Sequence, residues 1–326
     1  MAIRFNLGKS KYVNLTVKDH CIRYVEIKHG HDTSVQSWGE RFLPAGLIQD
    51  GAIQDLQTFS MILEECIQEW KIAKKQVRFL VPDSSVVIRK ISIPEDVTPD
   101  EIKGYLYMEL GTSIHLPFEN PVFDYHLLAE KDKNKQQIIL FAAPEDNIAE
   151  LSEILDEVKL KPAAADISAL ALYRYYHHTS NSPSNDGVMI IEVDLKTVNV
   201  SIFENHHPLF MRHLIIEVDN EQWVQKNASE GLTFTGDKAE VWNGLDDIYK
   251  EIEKVMSFYR YTLNKGDRQV KKIVITGDHP WLPAIVEQIK ERFDNAEQMK
   301  GFGPSLNDEP IPTSVHVNIG LGLKEV

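Results

Sequence analysis

Two turns of the chain hold charged side chains where a phosphate-binding loop would need glycine. Lys18-Asp19-His20 lies in "KYVNLTVKDHCIRYVEIKHGHDTSV", and Asp194-Leu195-Lys196 lies in "GVMIIEVDLKTVNVSIFENHHPLF". A turn without side chains lets backbone N–H groups approach phosphate oxygens. An Asp194 carboxylate about 4 Å from such an oxygen would be repelled by roughly 4 kcal/mol at an effective dielectric constant of about 20. Bound Mg²⁺ or the charge of Lys18 would reduce that repulsion, so the residues alone leave phosphate binding open.

Twelve histidines raise the question of a metal site. The pairs fall in turns or at the ends of elements, and no cysteine joins them: His29 and His31, His177 and His178, His206 and His207. Adjacent residues on a strand also point to opposite faces. We therefore expect solvated histidines and no metal site. No Gly-x-Ser-x-Gly motif occurs, and no serine nucleophile is predicted.

The charge balance disfavours nucleic acid as a partner. The chain has 326 residues with 35 basic and 49 acidic side chains, a net charge of −14 that repels phosphate backbones and anionic lipids. Cys21 and Cys66 lie in a predicted strand and an amphipathic helix, which indicates reduced thiols and a cytosolic setting. No apolar run is long enough to span a membrane, so we expect membrane association only through a partner.

The elements that would position these turns repeat along the chain. Residues 12–42 alternate with the period of a strand, and an amphipathic helix and the buried strand "VRFLVP" follow, which predicts a layered α/β domain. After the polar segment "HHTSNSPSNDG" a second meander begins, followed by a helical pattern, the strand "VKKIVITG" and another helix. Between the two lies a strand, helix, hairpin and helix, enough for a small subdomain. We expect a duplicated domain with a cleft between its copies.

Three segments resemble the PilM family of type IV pilus assembly proteins, which belongs to the actin-like superfamily and is related to FtsA. They are "PAGLIQDGAIQDL", "VRFLVPDSSVVIRKISIP" and "HLPFENPVFDYHLL", and "PLFMRHLII", "MSFYRYTL", "IVITGDHPWLPAI" and "HVNIGLGL" follow in the family's order. The resemblance implies an actin-like α/β fold of two RNase H-like halves. The first half would comprise residues 1–82 and 162–181, with a small α+β insert at 83–161. The second half would comprise 182–326, with a helical subdomain at about 220–265.

The resemblance also locates a degenerate nucleotide site. Thr16 stands where the family's first loop has aspartate, Lys18 where it has glycine and Arg23 where it has lysine. Glu192 and Asp194 take the aspartate and glycine positions of the second loop. The remaining candidates are Asp19, Lys196, Lys254, Gly277 and Asp278. The family's glycine-rich adenosine stretch is "TGDHPWLP" in this chain and keeps only Gly277. Because all three loops have lost glycines, we expect hairpin turns with solvated charges, no catalytic residue, no enzymatic activity and no required cofactor. A nucleotide-switched ATPase that binds Mg-ATP is the alternative, and a sugar-kinase-like enzyme is a more distant one.

Family members sit at the cytoplasmic face of the inner membrane and grip the N-terminal tail of PilN in a groove between the first half and the insert. Candidate groove residues in this chain are Tyr105, Met108, Glu109, Ile114, Leu116, Pro117 and Phe118. The apolar members fit the core of the insert equally well. The chain itself begins with "IRFNL" after two residues, a segment that would be a first strand or pack within the protein or on a neighbouring copy. The sequence leaves homo-oligomer formation open.

Overall fold

The computed structural model describes residues 12–28, 33–132, 135–180, 187–226, 231–301 and 310–325. The first half begins with β1 (Tyr12–Lys18), β2 (Cys21–Lys28), β3 (Ser34–Phe42), β4 (Ile48–Gln49), β5 (Ala52–Ile53), α1 (Leu56–Trp70) and β6 (Gln76–Leu80). The chain continues with β7 (Val87–Pro94), α2 (Ile102–Glu109), β8 (Pro121–Asp132), β9 (Lys135–Pro144), α3 (Glu145–Glu157), β10 (Lys161–Asp166) and α4 (Ser168–Thr179). The second half contains β11 (Gly187–Val193), β12 (Thr197–Glu204), β13 (His207–Ile215), β14 (Trp223–Gln225), β15 (Leu232–Phe234), α5 (Lys238–Ser257), β16 (Val270–Gly277), α6 (Leu282–Arg292), β17 (Ala296–Gln298) and α7 (His316–Gly322).

Each half is built on a five-stranded sheet with the same topology. The strand orders are β3-β2-β1-β6-β10 and β13-β12-β11-β16-β17. In both sheets the first three strands form an antiparallel meander, and the last two run parallel to the first strand of that meander. The duplication predicted from the two meanders is therefore confirmed. Because the halves share one topology, the turns after β1 and β11 occupy equivalent positions.

The apolar patterns of the two long helices fit these sheets. Asp55 caps the N-terminus of α1 by accepting a hydrogen bond from the Thr58 N–H. The buried residues Phe59, Leu63 and Ile67 of α1 recur at steps of four. They pack into the core of the first sheet. In the second half, α5 buries Val241, Leu245, Ile248, Ile252 and Val255 against the other sheet. The short β14–β15 hairpin precedes α5, and a π-helical turn, Phe258–Leu263, continues it.

Helices α4 and α7 pack together in a core that joins the halves. That core contains residues of β2, β11, β12 and both helices. Gly320 permits their close approach, since a Cβ there would lie 1.9 Å from the Ala171 carbonyl oxygen. Helix α7 also contacts the first half, because Asn318 donates hydrogen bonds to the carbonyl oxygens of Asn14 and Arg23. Helix α7 thus contacts the first sheet directly and helps to hold the two halves together.

The predicted insert range contains a separate three-stranded sheet with the order β7-β9-β8. One face of this sheet packs against α2 and the loop after it, in a cluster that includes Ile93, Leu106 and Phe123. Helix α3, at the end of the range, instead packs Leu151 and Leu155 into the core of the first half. The other face of the insert sheet therefore lies beside the first half without a helix of its own.

Candidate functional site

The turns after β1 and β11 meet across the cleft, and Lys18 links them. Its Nζ lies 2.8 Å from Glu192 Oε1, 2.6 Å from Asp194 Oδ2 and 4.0 Å from Asp278 Oδ2. The Lys18 side chain is 14% exposed, and the three carboxylates are buried. A cation of the first half is therefore held by three carboxylates of the second.

Two more cations of the first half contact Asp278. Arg23 Nη1 lies 2.5 Å and His20 Nε2 2.9 Å from Asp278 Oδ2, and Arg23 Nε also pairs with Glu40. Arg23 and His20 are both buried. We refer to the seven residues of this network as the cleft cluster: Lys18, His20, Arg23, Glu40, Glu192, Asp194 and Asp278.

The prediction that the charges of these turns lie in solvent is wrong. Lys18, His20 and Asp194 are largely withdrawn from water because each has an oppositely charged partner in the other half. A buried charge is tolerated when it is paired and hydrogen-bonded. Sequence alone did not predict this arrangement, because the partners are more than 170 residues apart in the chain.

The charges of the cluster favour the protonated form of Lys18 and the ionised form of Asp278. Burial acts to lower the pKa of Lys18, but Asp194, Glu192 and Asp278 outweigh it and hold that pKa well above its usual range. Burial acts to raise the pKa of Asp278, but His20, Arg23 and Lys18 hold it well below its usual range. Burial and then the carboxylates of Asp278 and Glu192 raise the pKa of Asp194. Asp278 is therefore the anion around which the cations gather.

Asp83 extends the network and was missed by the sequence analysis. It accepts hydrogen bonds from Ser168 Oγ at 2.6 Å and from Asn199 Nδ2 at 2.8 Å, and the same amide nitrogen lies 3.4 Å from Glu192 Oε2. Burial, with the Glu192 charge next, raises the pKa of Asp83 to about 7. Its signal in the sequence was its place just after the buried strand β6, the same edge of the sheet at which the β1 turn lies.

The other predicted nucleotide-site residues are only partly brought together. Thr16 Oγ1 donates a hydrogen bond to Asn318 Oδ1 at 3.3 Å, and Asp19 accepts hydrogen bonds from the backbone N–H groups of Asp50 and Gly51. Lys196, with Thr16 and Asp83, lines a crevice of about 60 Å³ beside the cluster. Lys254 lies on the exposed surface of α5, where it pairs with Glu251.

Two backbone N–H groups of the turn after β11 are already bonded within the protein. The Asp194 N–H donates to the Thr197 carbonyl at 2.8 Å, and the Leu195 N–H donates to Asp278 Oδ1 at 3.2 Å. Gly277 has φ 133°, and a Cβ there would lie 2.0 Å from the Val193 carbonyl oxygen. The close approach of the Val193 backbone and the positive φ account for a glycine at this position without a bound phosphate.

His20, Cys21 and Asp278 place possible metal-ligand atoms within 4.8 Å of one another. Arg23 and His20 already form ion pairs with the Asp278 carboxylate, and Lys18 lies close by. A divalent cation would have to displace these positive charges, so the charges present oppose a metal at this position. The predicted solvated pairs His177–His178 and His206–His207 lie elsewhere, and His29 and His31 lie outside the described residues.

The cleft cluster predicts a specific pH dependence of stability. Burial acts to lower the pKa of His20, but Asp278 outweighs it and raises that pKa to about 10. The unfolded value is about 6.5, so the stabilising contribution is complete below that pH and is lost as pH rises toward 10. Between pH 7 and 8.5 we expect the free energy of unfolding to fall by up to about 1.4 kcal/mol per pH unit.

Urea unfolding of the wild type and of His20→Asn over this pH range measures the effect. The His20→Asn variant should be less stable at pH 7 and should lose most of the dependence of stability on pH. His178→Asn, the same substitution at an exposed histidine outside the cluster, should retain that dependence. Equal slopes in wild type and His20→Asn would contradict the charged pairing with Asp278.

The predicted groove residues lie mainly in the core of the insert. Ile114 is buried there, and Tyr105, Leu116 and Phe118 pack partly buried against the same cluster. Glu109 accepts a hydrogen bond from Ser113. Met108 is 70% exposed and Pro117 is exposed. Tyr107, which the sequence analysis did not select, is exposed beside Met108.

A groove of about 220 Å³ instead lies between the insert sheet and the first half. The β8–β9 register pairs Val122 with Ala143 and Asp124 with Phe141, so these four side chains share the face of the sheet opposite to α2. The facing wall belongs to the first half: Val81, Ile148, Ala165, Ile167 and Leu170. The groove is therefore apolar on both walls, with Asp124, Asp166 and Lys324 as its charged residues.

Comparisons with known proteins agree with this architecture. The family model described as type IV pilus assembly protein PilM matches residues 15–220. The structure is similar to a chain of the PilM-PilN type IV pilus biogenesis complex, with a TM-score of 0.78 and 17% identity over 97% of this chain and 98% of that one. No curated protein sequence matches the chain.

Two more distant structures cover nearly the whole chain. MreB5 of Spiroplasma citri bound to ADP has a TM-score of 0.49 and 11% identity, over 96% of this chain and 95% of that one. The cytoplasmic domain of EpsL, an inner membrane component of the type II secretion system of Vibrio cholerae, has a TM-score of 0.44 and 9% identity over 96% and 94%. The repeated sheet topology and the similarity to the chain of the PilM-PilN complex confirm the predicted actin-like α/β fold of two halves.

Proposed function

The chain belongs to the PilM family of type IV pilus assembly proteins, and on this premise we propose that it is a cytoplasmic adaptor that binds the N-terminal tail of a PilN-like inner-membrane protein. The adaptor belongs to a type IV pilus or a related secretion or competence apparatus. Its actin-like halves act as a scaffold, and the groove between the insert and the first half receives the tail.

The observation that carries this proposal is the apolar groove itself. Val122 and Ala143 on one wall face Ile167 and Leu170 on the other. An extended peptide can bury apolar side chains between such walls, and apolar burial supplies about 25 cal/mol per Å² removed from water. The few charged residues of the groove can set the register of the bound segment.

Strand edges beside the groove support binding of an extended segment. β8 is an edge strand of the insert sheet, and β10 is an edge strand of the first sheet. Both contribute residues to the groove. The free edge of a sheet can accept a further strand through backbone hydrogen bonds, which is a recurring mode of peptide recognition.

In this proposal the cleft between the halves has a structural role without nucleotide turnover. Lys18 fills the region between Glu192 and Asp194, and the N–H groups of Asp194 and Leu195 are bonded within the protein. The cluster ties the halves together without a bound phosphate. This favours a scaffold over a nucleotide-switched ATPase.

The proposed position is the inner face of the cell membrane, reached through the partner. None of the helices within the described residues combines the length and the hydrophobicity that crossing a bilayer requires. The net charge of −14 also opposes direct adsorption to anionic lipid. The tail of the membrane partner would therefore be the anchor.

Binding of a fluorescent peptide tests the proposal. The peptide carries the N-terminal cytoplasmic residues of a PilN-like protein from the same organism, and fluorescence anisotropy is measured against the folded full-length protein. Saturable binding is expected, and a scrambled peptide of the same composition should not bind. Absence of saturable binding to folded protein would refute the adaptor function.

A further inference from the structure

A separate cavity, open to solvent and about 990 Å³ in volume, concentrates positive charge in a protein that is acidic overall. Arg78, Arg174 and Lys324 line it, together with His177, His178 and His206. These residues come from β6, from α4, from the chain just after α7 and from the turn before β13. None of them belongs to the cleft cluster. The cavity shares Leu170 and Lys324 with the apolar groove.

Two of the three permanent cations pair with the same carboxylate. Arg174 pairs with Asp166, and Lys324 Nζ lies 3.4 Å from Asp166 Oδ1. Across the described residues, Asp166 is the only carboxylate within ion-pair distance of these cations. Glu325 lies at the exposed rim of the cavity. The inner wall therefore carries more positive than negative charge.

Arg78 is the strongest indication of a missing anion. It is 4% exposed, its Nη1 donates to the Gly322 carbonyl oxygen at 2.8 Å, and its guanidinium lies 4.2 Å from the centre of the Tyr12 ring. Its buried Nε has no hydrogen-bond partner. Burial lowers the pKa of this group. A buried charge without a counter-ion is costly, and an anion bound in the cavity would offset that cost.

Aromatic groups give the same cavity a second kind of contact. Tyr173 lines it, and the Tyr173 hydroxyl lies 2.8 Å from His206 Nδ1. The rings of Tyr173 and His177 are stacked with centroids 6.3 Å apart. Imidazole nitrogens can donate to an anion, and the flat rings can contact an organic group attached to it.

We propose that this cavity binds a phosphate-bearing anion. Two guanidinium groups and one ammonium match the several oxygens and the double charge of a phosphate better than the two oxygens of a carboxylate. The phosphate can belong to a soluble phosphate monoester, which carries a double charge, or to the phosphodiester of a phospholipid headgroup, which carries a single charge, and both present anionic phosphoryl oxygens to Arg78, Arg174 and Lys324.

Isothermal titration calorimetry with sodium pyrophosphate tests the proposal. The full-length protein is titrated at constant ionic strength and without added metal. The wild type should bind saturably, and sodium chloride at matched ionic strength should have no such effect. Lys324→Gln should weaken binding by about tenfold, since each lost charge-assisted hydrogen bond weakens association by roughly that factor. Arg78→Gln should weaken it more. Arg212→Gln removes a half-exposed arginine paired with Glu251 and should bind like the wild type.

Replacing buried Arg78 could impair folding. Lys324 is partly exposed, so Lys324→Gln should fold normally and still test the proposal. Absence of saturable pyrophosphate binding, or equal affinities in wild type and Lys324→Gln, would overturn the proposal. A second arm distinguishes the sources by co-sedimentation with vesicles of phosphatidylglycerol or phosphatidylcholine. A lipid headgroup predicts binding to phosphatidylglycerol that pyrophosphate displaces and Lys324→Gln weakens. A soluble ester predicts pyrophosphate binding with no sedimentation on either vesicle.

Discussion

Replacing Lys18 with methionine is expected to lower the free energy of unfolding by about 3–5 kcal/mol at neutral pH, the usual cost of removing one partner of a buried ion pair. The substitution leaves Glu192, Asp194 and Asp278 in a buried cleft without the cation that contacts two of them at 2.8 and 2.6 Å. Arg23 and His20 continue to compensate Asp278, so the loss falls mainly on Glu192 and Asp194. Urea unfolding followed by circular dichroism measures it.

Lys254→Met is the matched control, because Lys254 is 69% exposed and pairs with Glu251 on the helix surface. We expect less than about 1 kcal/mol for that change. Adding Asp194→Asn to Lys18→Met should recover part of the lost stability, since it removes one of the uncompensated carboxylates. Equal stabilities of Lys18→Met and Lys254→Met would show that the cleft cluster does not hold the halves together.

Replacing Val122 with aspartate should weaken binding of the partner tail by at least about a hundredfold, equivalent to ~2.7 kcal/mol. Val122 is 43% exposed in the free protein and lies on the wall of the apolar groove. A bound segment would bury the new carboxylate without a partner, and Asp124 on the same face would add like-charge repulsion. The peptide anisotropy titration gives the ratio of affinities.

Val224→Asp controls for the general effect of adding a carboxylate to an exposed valine. Val224 is 41% exposed and lies in β14, in the second half. It should leave both the fold and tail affinity unchanged within about 0.5 kcal/mol, as surface changes usually do. A Val122→Asp protein that is folded and binds the tail as tightly as Val224→Asp would exclude this groove as the binding site.

The architecture could be predicted from the sequence because it depends on local patterns. The two meanders, the faces of α1 and α5 and the buried strands β6 and β16 all carry periodicities set by the packing of one face. The same local logic failed at the cleft. Lys18 and Asp194 look like turn residues within their own hairpins, and only the duplicated fold brings them within 2.6 Å of each other.

The groove illustrates a second limit of sequence reasoning. Ile114, Leu116 and Phe118 have the apolar character expected of a binding surface, yet they pack in the core of the insert. Val122 and Ala143 line the groove because alternation along β8 and β9 places them on the opposite face. Alternation showed that the strands have two faces, but the sequence did not indicate which face meets the first half. The segment "IRFNL" lies outside the described residues.

A crystal structure determined with millimolar Mg-ATP would test directly whether the protein's own charges occupy the nucleotide position of the cleft. We expect Lys18 to keep its contacts with Glu192 and Asp194, and we expect no nucleotide density between the two turns. Ordered nucleotide in the cleft, with Mg²⁺ beside Glu192 or Asp194 and Lys18 displaced, would contradict this expectation.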